Sequence, residues 1–552
     1  MKKATIITAL LSVSFVQAQT LYVNNTDGTY QAFDANGTTE ISFDEGQRLV
    51  KLIMPDGMTS NFFAGKVESI APTKEKTTEL KYDLAPSVAF SSNDKDSFNE
   101  ITEKIPTDEL DEEYGDFVEN FTPERTITIT FSSSGVKTTT LPSDIKATIS
   151  GAHITLNSTR GKVAYLITGT TSNGSLKIYS TKKFQIISRN ANITNPSGPA
   201  INIQSGKTTY FTIVNGTTNT FCDGTTYKTV ANEDQKGTIF SEGQIIFDGS
   251  VQGTGKLNVS SLGGHAICSD DYIRVRSGNI NITKAAKDGF RAKEKFIIGR
   301  TKALSPTITI NATSNGIECT EGPVTIEAGN LSITSGGEGI KAVYETTTPD
   351  PLVIPDATIK GGYIVINTTG EKSSAIQTTR NYTQTGGIIQ ATVNGNGSKI
   401  INCDGEVSFT GGKITGISKG TLSSDLTSAG GIKCNGMINI TDGTIAIDCK
   451  GKGAKAINCN SDVVVNSGNI TLLANAENYT EIADDKKSRA ITTGNITING
   501  GTVIASAYDN ALAATGTITI NGGKINAYSA SSNALSTIAT QTGGWLLTKD
   551  AE

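Results

Sequence analysis

Apolar and polar residues alternate at period two through most of this chain. Ile273-Arg274-Val275, Ile280-Asn281-Ile282, Ile308-Thr309-Ile310, Leu331-Ser332-Ile333 and Ile518-Thr519-Ile520 are clear instances. β-branched residues dominate these runs, so each predicts a short strand with one buried face. Gly-containing corners separate many of them, among them Ser277-Gly278-Asn279, Ala328-Gly329-Asn330 and Asn521-Gly522-Gly523. Glycine turns the chain there without Cβ strain. Apolar spacing of three and four residues hardly occurs, so the pattern predicts an all-β chain.

A longer period lies above the short one. A polar residue, a small residue, an aliphatic or Phe, any residue and a second small residue recur as a phrase. It begins with His265-Ala266-Ile267-Cys268-Ser269, Asp288-Gly289-Phe290-Arg291-Ala292 and Asn315-Gly316-Ile317-Glu318-Cys319. Copies centred on Ile340, Ile376, Ile401, Ile432, Ile457, Ile491, Leu512 and Leu535 follow at steps of 21 to 36 residues. A period in this range marks a solenoid, whose repeats bury their apolar faces against one another. Two or three strands per repeat predict a right-handed, single-stranded parallel β-helix, the hand following the crossover preference. Equivalent residues would then stack about 4.8 Å apart. The final small position of the phrase includes Ala292, Cys319, Ala342, Cys403, Cys434 and Cys459. It lies two residues beyond the central aliphatic and shares its inward face. The leucine pattern of a horseshoe is missing, and a propeller would need four strands in each longer repeat.

The N-terminal part differs. Met1-Lys2-Lys3, the apolar Ala4–Val16 stretch and the small-residue site Val16-Gln17-Ala18 predict a secretory signal peptide over residues 1–18. Cys does not follow that site, which argues against a lipoprotein anchor. The expected destination is secreted, periplasmic or cell-surface. Residues 20–76 read as a small β module with two echoing hairpin turns at Asp27-Gly28 and Asp56-Gly57. Residues 77–124 read as an acidic linker containing Asp108, Glu109, Asp111, Glu112, Glu113 and Asp116, with room for a short helix. Residues 125–552 form the expected solenoid, with insertions at Tyr344–Pro355, Thr415–Ser428 and Ala474–Lys487.

Seven cysteines in an exported chain ordinarily suggest disulfides. Their place in an inward column favours stacked thiols, and a bridge among Cys403, Cys434 and Cys459 stays open. The formal net charge of −5 gives no general attraction to nucleic acid. Charge is uneven, however. Nine basic residues lie between Arg274 and Lys302 against only Asp288 and Glu294. A solvated face with local pairs is the plain explanation; the sharper one is a docking strip for an anionic polymer, for which Tyr272, Arg274, Arg276, Arg291 and Lys293 are the candidates.

Several longer stretches carry a specific resemblance. Gly198–Lys207, Glu233-Asp234-Gln235-Lys236-Gly237, Phe240-Ser241-Glu242-Gly243 and His265–Arg274 resemble a family of exported bacterial carbohydrate-binding β-helix proteins. The resemblance covers Thr126 to Gly453 well and the later repeats more loosely. It implies binding of acidic, pectin-like glycans or cellulose, and calcium held between coils. Calcium takes six to eight hard oxygens at about 2.3–2.6 Å, so Asp270, Asp271, Asp288, Glu318 and Glu338 are the expected ligands. The family's coils carry Asp-Gly-Ile, whereas His265, Asn315, Ser374, Lys399, Gly430, Lys455 and Arg489 replace the acid here. Calcium is therefore expected only between His265 and Lys341.

Two rival functions accompany non-catalytic binding. Pectate lyases and polygalacturonases share the expected architecture, so fold alone does not decide. Arg274, Arg276 or Arg291 could act as a lyase base, and Asp270-Asp271 with Asp288 could form a hydrolase pair. The supporting signatures of those enzymes are not visible, and His153 and His265, the only histidines, border strands. A passive spacer or adhesin is the third possibility. Nucleotide loops, zinc spacings and a nucleophile elbow do not appear.

Overall fold

The structure, a computed structural model, describes residues 20–34, 38, 40–54, 57–81, 86–96, 106–108, 110, 113–249, 254–300, 305–345, 351–482 and 485–551. The expected leader at residues 1–18 lies outside them, as do Glu109, Asp111 and Glu112 of the acidic run. The chain is all-β, with a few single-turn 3-10 segments in the linker.

From Arg125 onwards, strands pair with strands one repeat later. A fifteen-strand sheet runs from Ile145–Ser150 to Leu512–Ala514. Its first pair is antiparallel and the rest are parallel. The recurring phrase forms this sheet. Ile267, Phe290, Ile317, Ile340, Ile376, Ile401, Ile432, Ile457, Ile491 and Leu512 are direct register partners in that order. Leu535 extends the column through a single parallel bridge. Two further parallel ladders belong to a second large sheet. One contains Tyr272–Val275, Lys295–Ile298, Val324–Ile326 and Ala357–Ile359. The other contains Asn279–Ala285, Thr307–Ala312, Asn330–Ser335 and Tyr363–Thr368.

Alternation along each strand sends the aliphatics into one continuous core that extends from Ile127 to Leu546. Cys403, Cys434 and Cys459 are consecutive register partners inside it. All seven cysteines are free. Each of these three thiols donates to a carbonyl of the preceding repeat, at Arg380, Gly405 and Gly436, all at 3.0 Å. A small side chain with a weak donor therefore suits this position.

Repeats approach most closely along a glycine column. A methyl group placed on Gly370, Gly395, Gly420 or Gly451 would lie 2.1, 1.7, 2.0 or 1.8 Å from the carbonyl oxygen of the preceding column member, beginning at Gly336. The expected insertion at Thr415 starts later, because Val407–Ser418 is one continuous strand.

The N-terminal module does not stand apart. Its sheet reaches Thr78–Glu79, beyond the expected boundary at 76. Strand Met58–Phe63 pairs antiparallel with Trp545–Lys549, the last strand of the stack. Trp545 and Leu547 join Leu21, Val23, Phe33, Val50, Leu52 and Phe62 in the module's core. The module thus closes this edge of the stack, which would otherwise present unpaired backbone.

The linker returns along the stack. Asp94 accepts hydrogen bonds from Lys413 at 2.8 and 2.9 Å and from Gln390 at 3.2 Å. Further on, Tyr210 donates to the Gly115 carbonyl at 2.8 Å, and the Phe121 and Tyr210 rings lie 5.1 Å apart. Between them, Phe117 is fully buried, with the guanidinium groups of Arg276 and Arg300 at 4.3 and 4.9 Å from its ring centroid.

Candidate functional site

The outer side of the fifteen-strand sheet carries a groove of about 640 Å³ across the strands Gly237–Ser241, His265–Ser269, Phe290–Ala292 and Ile317–Cys319. Its chemistry follows from the register. Ser241 pairs with Ser269, and Ser269 with Ala292. The residues that leave each strand, Glu242, Asp270 and Lys293, therefore occupy equivalent places on successive repeats. Ser269 fixes the corner: its hydroxyl donates to the Gly243 carbonyl at 2.9 Å and accepts the Asp271 N–H at 3.1 Å.

Asp234, Glu242 and Asp270 bring carboxylate oxygens within 4.8 Å of one another. The Lys236 ammonium donates to both Asp270 oxygens at 2.6 Å and lies 2.8 Å from Asp234. Its bonds hold the Asp234 carboxyl below the usual range. Burial, followed by the charges of Asp270 and Asp234, raises Glu242. Three acids against one ammonium leave an excess of negative charge. All the donors are hard oxygens, the set that calcium takes, and Lys236 stands where a cation would be attracted. The trio supplies oxygens of the kind calcium takes, and the Lys236 ammonium already balances part of their charge.

Beside this trio lies a buried relay. His265, Asp288, Asn315 and Glu338 each sit two residues before the register column of Ile267, Phe290, Ile317 and Ile340. His265 Nδ1 is 2.9 Å from an Asp288 oxygen, and the Asn315 N–H donates to the other at 2.9 Å. Burial alone would raise Asp288, yet these bonds hold it down at about 2. Glu318 accepts from Asn315 at 3.1 Å and from Lys341 at 2.7 Å. Burial, with the Asp288 charge beside it, pushes Glu318 up to about 7. Arg291 reaches Glu345 at 3.2 Å, and Lys293 reaches Glu321 at 3.6 Å.

The five expected metal ligands do not converge. Asp270 joins Asp234 and Glu242. Asp271 faces Glu294, and burial with that neighbour raises it to about 6. Asp288 and Glu318 belong to the relay, and Glu338 follows on the next repeat, raised by burial. The expected sugar strip also divides. Arg291 and Lys293 line the groove, whereas Tyr272, Arg274 and Arg276 are in the other large sheet beneath the linker. Tyr272 donates to Asp116 at 2.9 Å, and Arg274 to Asp116 at 2.7 Å and Glu327 at 3.2 Å. Arg276 donates to Glu119 at 2.7 and 3.2 Å. These three residues are closed to a polymer in this arrangement. Neighbours in sequence wrap onto different sheets, so a basic run does not make a basic strip. Asp234, Lys236 and Glu242 are not among the expected site residues, although the phrases carrying the resemblance contain all three.

A family model described as carbohydrate-binding domain-containing protein matches residues 150–423 and 401–534. The chain belongs to that family. The matched residues include the whole groove. Among solved structures, the chain is similar to the polysaccharide lyase-like protein from C. thermocellum, solved as a gadolinium derivative. The identity is 21%, over 56% of this chain and all of the other, with a TM-score of 0.33. No curated protein matches this chain.

Proposed function

We propose that this chain is an exported protein that binds acidic, pectin-like polysaccharide at the groove without cleaving it. Its three ladders are, on this proposal, the faces of a right-handed parallel β-helix. The observation that carries it is the juxtaposition of Lys287, Arg291 and Lys293 with the Asp234, Glu242 and Asp270 trio in one groove. The cations complement uronate carboxylates. Asp234, Glu242 and Asp270 would hold calcium, which when bound supplies positive charge towards the same ligand groups. Family membership supports carbohydrate as the partner.

Glycan-array binding with and without chelator tests this directly. Polygalacturonate should be retained in calcium, released by chelator, and weakened by Asp270→Ala and by Arg291→Ala with Lys293→Ala. Binding indifferent to chelator and to all three substitutions would remove the groove from consideration.

A second reading, cleavage, draws on His265, which lines the groove with its ring held by Asp288. A carboxylate that orients an imidazole is a recurrent device of acid–base catalysis. Unsaturated products or new reducing ends from polygalacturonate would establish it; their absence at high enzyme loading would dismiss it.

A further inference from the structure

A smaller cavity, of about 310 Å³, lies on the outer side of the fifteen-strand sheet, across the strands Ala152–Ser158, Gly174–Ser180 and Ile201–Gln204. It precedes the groove in repeat order and shares no residue with it. Segment 234–236 divides the two: Asp234 and Lys236 line the groove, whereas Gln235 lines the cavity. Register sets its polar side, because His153 pairs with Ser175 and Lys177 with Asn202. Pro199 and Val230 add apolar lining.

Asn202 is the group that calls for a ligand. Its side chain is buried, with the residue 2% exposed, and its Oδ1 accepts from Gln204 Nε2 at 2.7 Å. Gln204 does not line the cavity, so the amide turns its other end, Nδ2, to the cavity side. That donor meets no acceptor among the described residues. A buried donor left unsatisfied costs about 1–3 kcal/mol, which an acceptor entering the cavity would recover.

The charges around it do not ask for an ion. Lys177 is balanced by Glu233 at 2.6 Å, and Lys228 is exposed to solvent, where its charge is screened. Asp and Glu are absent from the lining among the described residues. The His153 ring nitrogens are committed to Ser175 at 3.0 Å and Asn173 at 3.3 Å. A complementary ligand is therefore neutral, offers an acceptor oxygen to an amide, and has C–H surface for Pro199 and Val230. A neutral pyranose has all three. We infer that this cavity is a separate binding site for a neutral pyranose unit. It needs neither calcium nor an acidic glycan, so it stands or falls independently of the groove.

Saturation-transfer NMR on the full chain in EDTA tests this with cellotriose and β-1,4-galactotriose. At least one of them should receive saturation from the protein. Asn202→Leu, which removes the amide at similar volume, should weaken that ligand's Kd about three- to tenfold, as expected from one neutral hydrogen bond. Ser197→Trp, at an exposed lining position, should abolish the signal by filling the cavity. Circular dichroism verifies that the variants fold. Trigalacturonate should not displace the neutral sugar. The inference is overturned if neither trisaccharide takes up saturation, or if either folded variant binds like wild type. Displacement by trigalacturonate would equally overturn it.

Discussion

Arg274 Nη1 stands 2.7 Å from the carboxylate of Asp116, a residue 158 positions earlier in the chain. The guanidinium is fully buried and also reaches Glu327. Removing Asp116 leaves Arg274 to Glu327 and Tyr272 without its acceptor, so charge-assisted hydrogen bonds worth about 1.5–3 kcal/mol each are lost. Asp116→Ala should lower unfolding stability by that order in urea. Replacing both residues by apolar ones, Asp116→Leu with Arg274→Met, should recover much of the loss. A double variant as unstable as the sum of its singles would show that the pair is not the stabilising contact.

The glycine column makes a sharper prediction. A methyl group at position 395 would meet the Gly370 carbonyl oxygen at 1.7 Å. That oxygen belongs to backbone held in the stack, so it cannot swing aside. Gly395→Ala should cost about 3 kcal/mol or more through overpacking. Gly115→Ala, where nothing lies within 4 Å of the added carbon, is the matched control. Comparing their thermal midpoints checks this.

Glu318 predicts a pH dependence. Burial and Asp288 raise its carboxyl from 4.5 to about 7. The folded state therefore binds the proton more tightly than the unfolded chain does. Its contribution to stability is complete below about pH 4.5 and is lost as pH rises through 7. Glu318→Gln removes this titration. The difference in thermal midpoint between variant and wild type should move in the variant's favour from pH 5 to pH 8. A constant difference would place the proton elsewhere in the relay.

All seven thiols should react after denaturation without reductant, because the three stacked cysteines bond to backbone carbonyls rather than to one another's sulfur covalently. Five reactive thiols would reveal a bridge in that column.

Deleting residues 20–81 should make the protein associate more strongly with rising concentration than the full chain does. The deletion uncovers the Trp545–Lys549 edge and the apolar Trp545 and Leu547. Light scattering reads the outcome, and an unchanged mass would deny the module its closing role.

The repeating core was legible because its signal is local and recurs. The phrase centres became one register column, and the cysteines stacked where their spacing from those centres placed them. The groove was half legible: Asp270, Arg291 and Lys293 lie in it, while Asp271, Asp288, Glu318 and Glu338 have other partners. Which acids converge depends on how sharply each corner turns, and Ser269 decides that through bonds to two different repeats. The burial of Tyr272, Arg274 and Arg276 left no trace in their own neighbourhood. Its cause lies in Asp116 and Glu119, and an acidic run reads alike whether it is solvated or laid on distant arginines.

Docking of the module on Trp545–Lys549 also orders events during synthesis. Residues 20–63 are made well before their partner strand, with the whole stack between them in the chain. Until that strand is made, this unit has an unfilled core and a bare edge. Its maturation depends on completion of all the intervening strands, so a chain cut short before Trp545 would betray itself in this distant module rather than at the break.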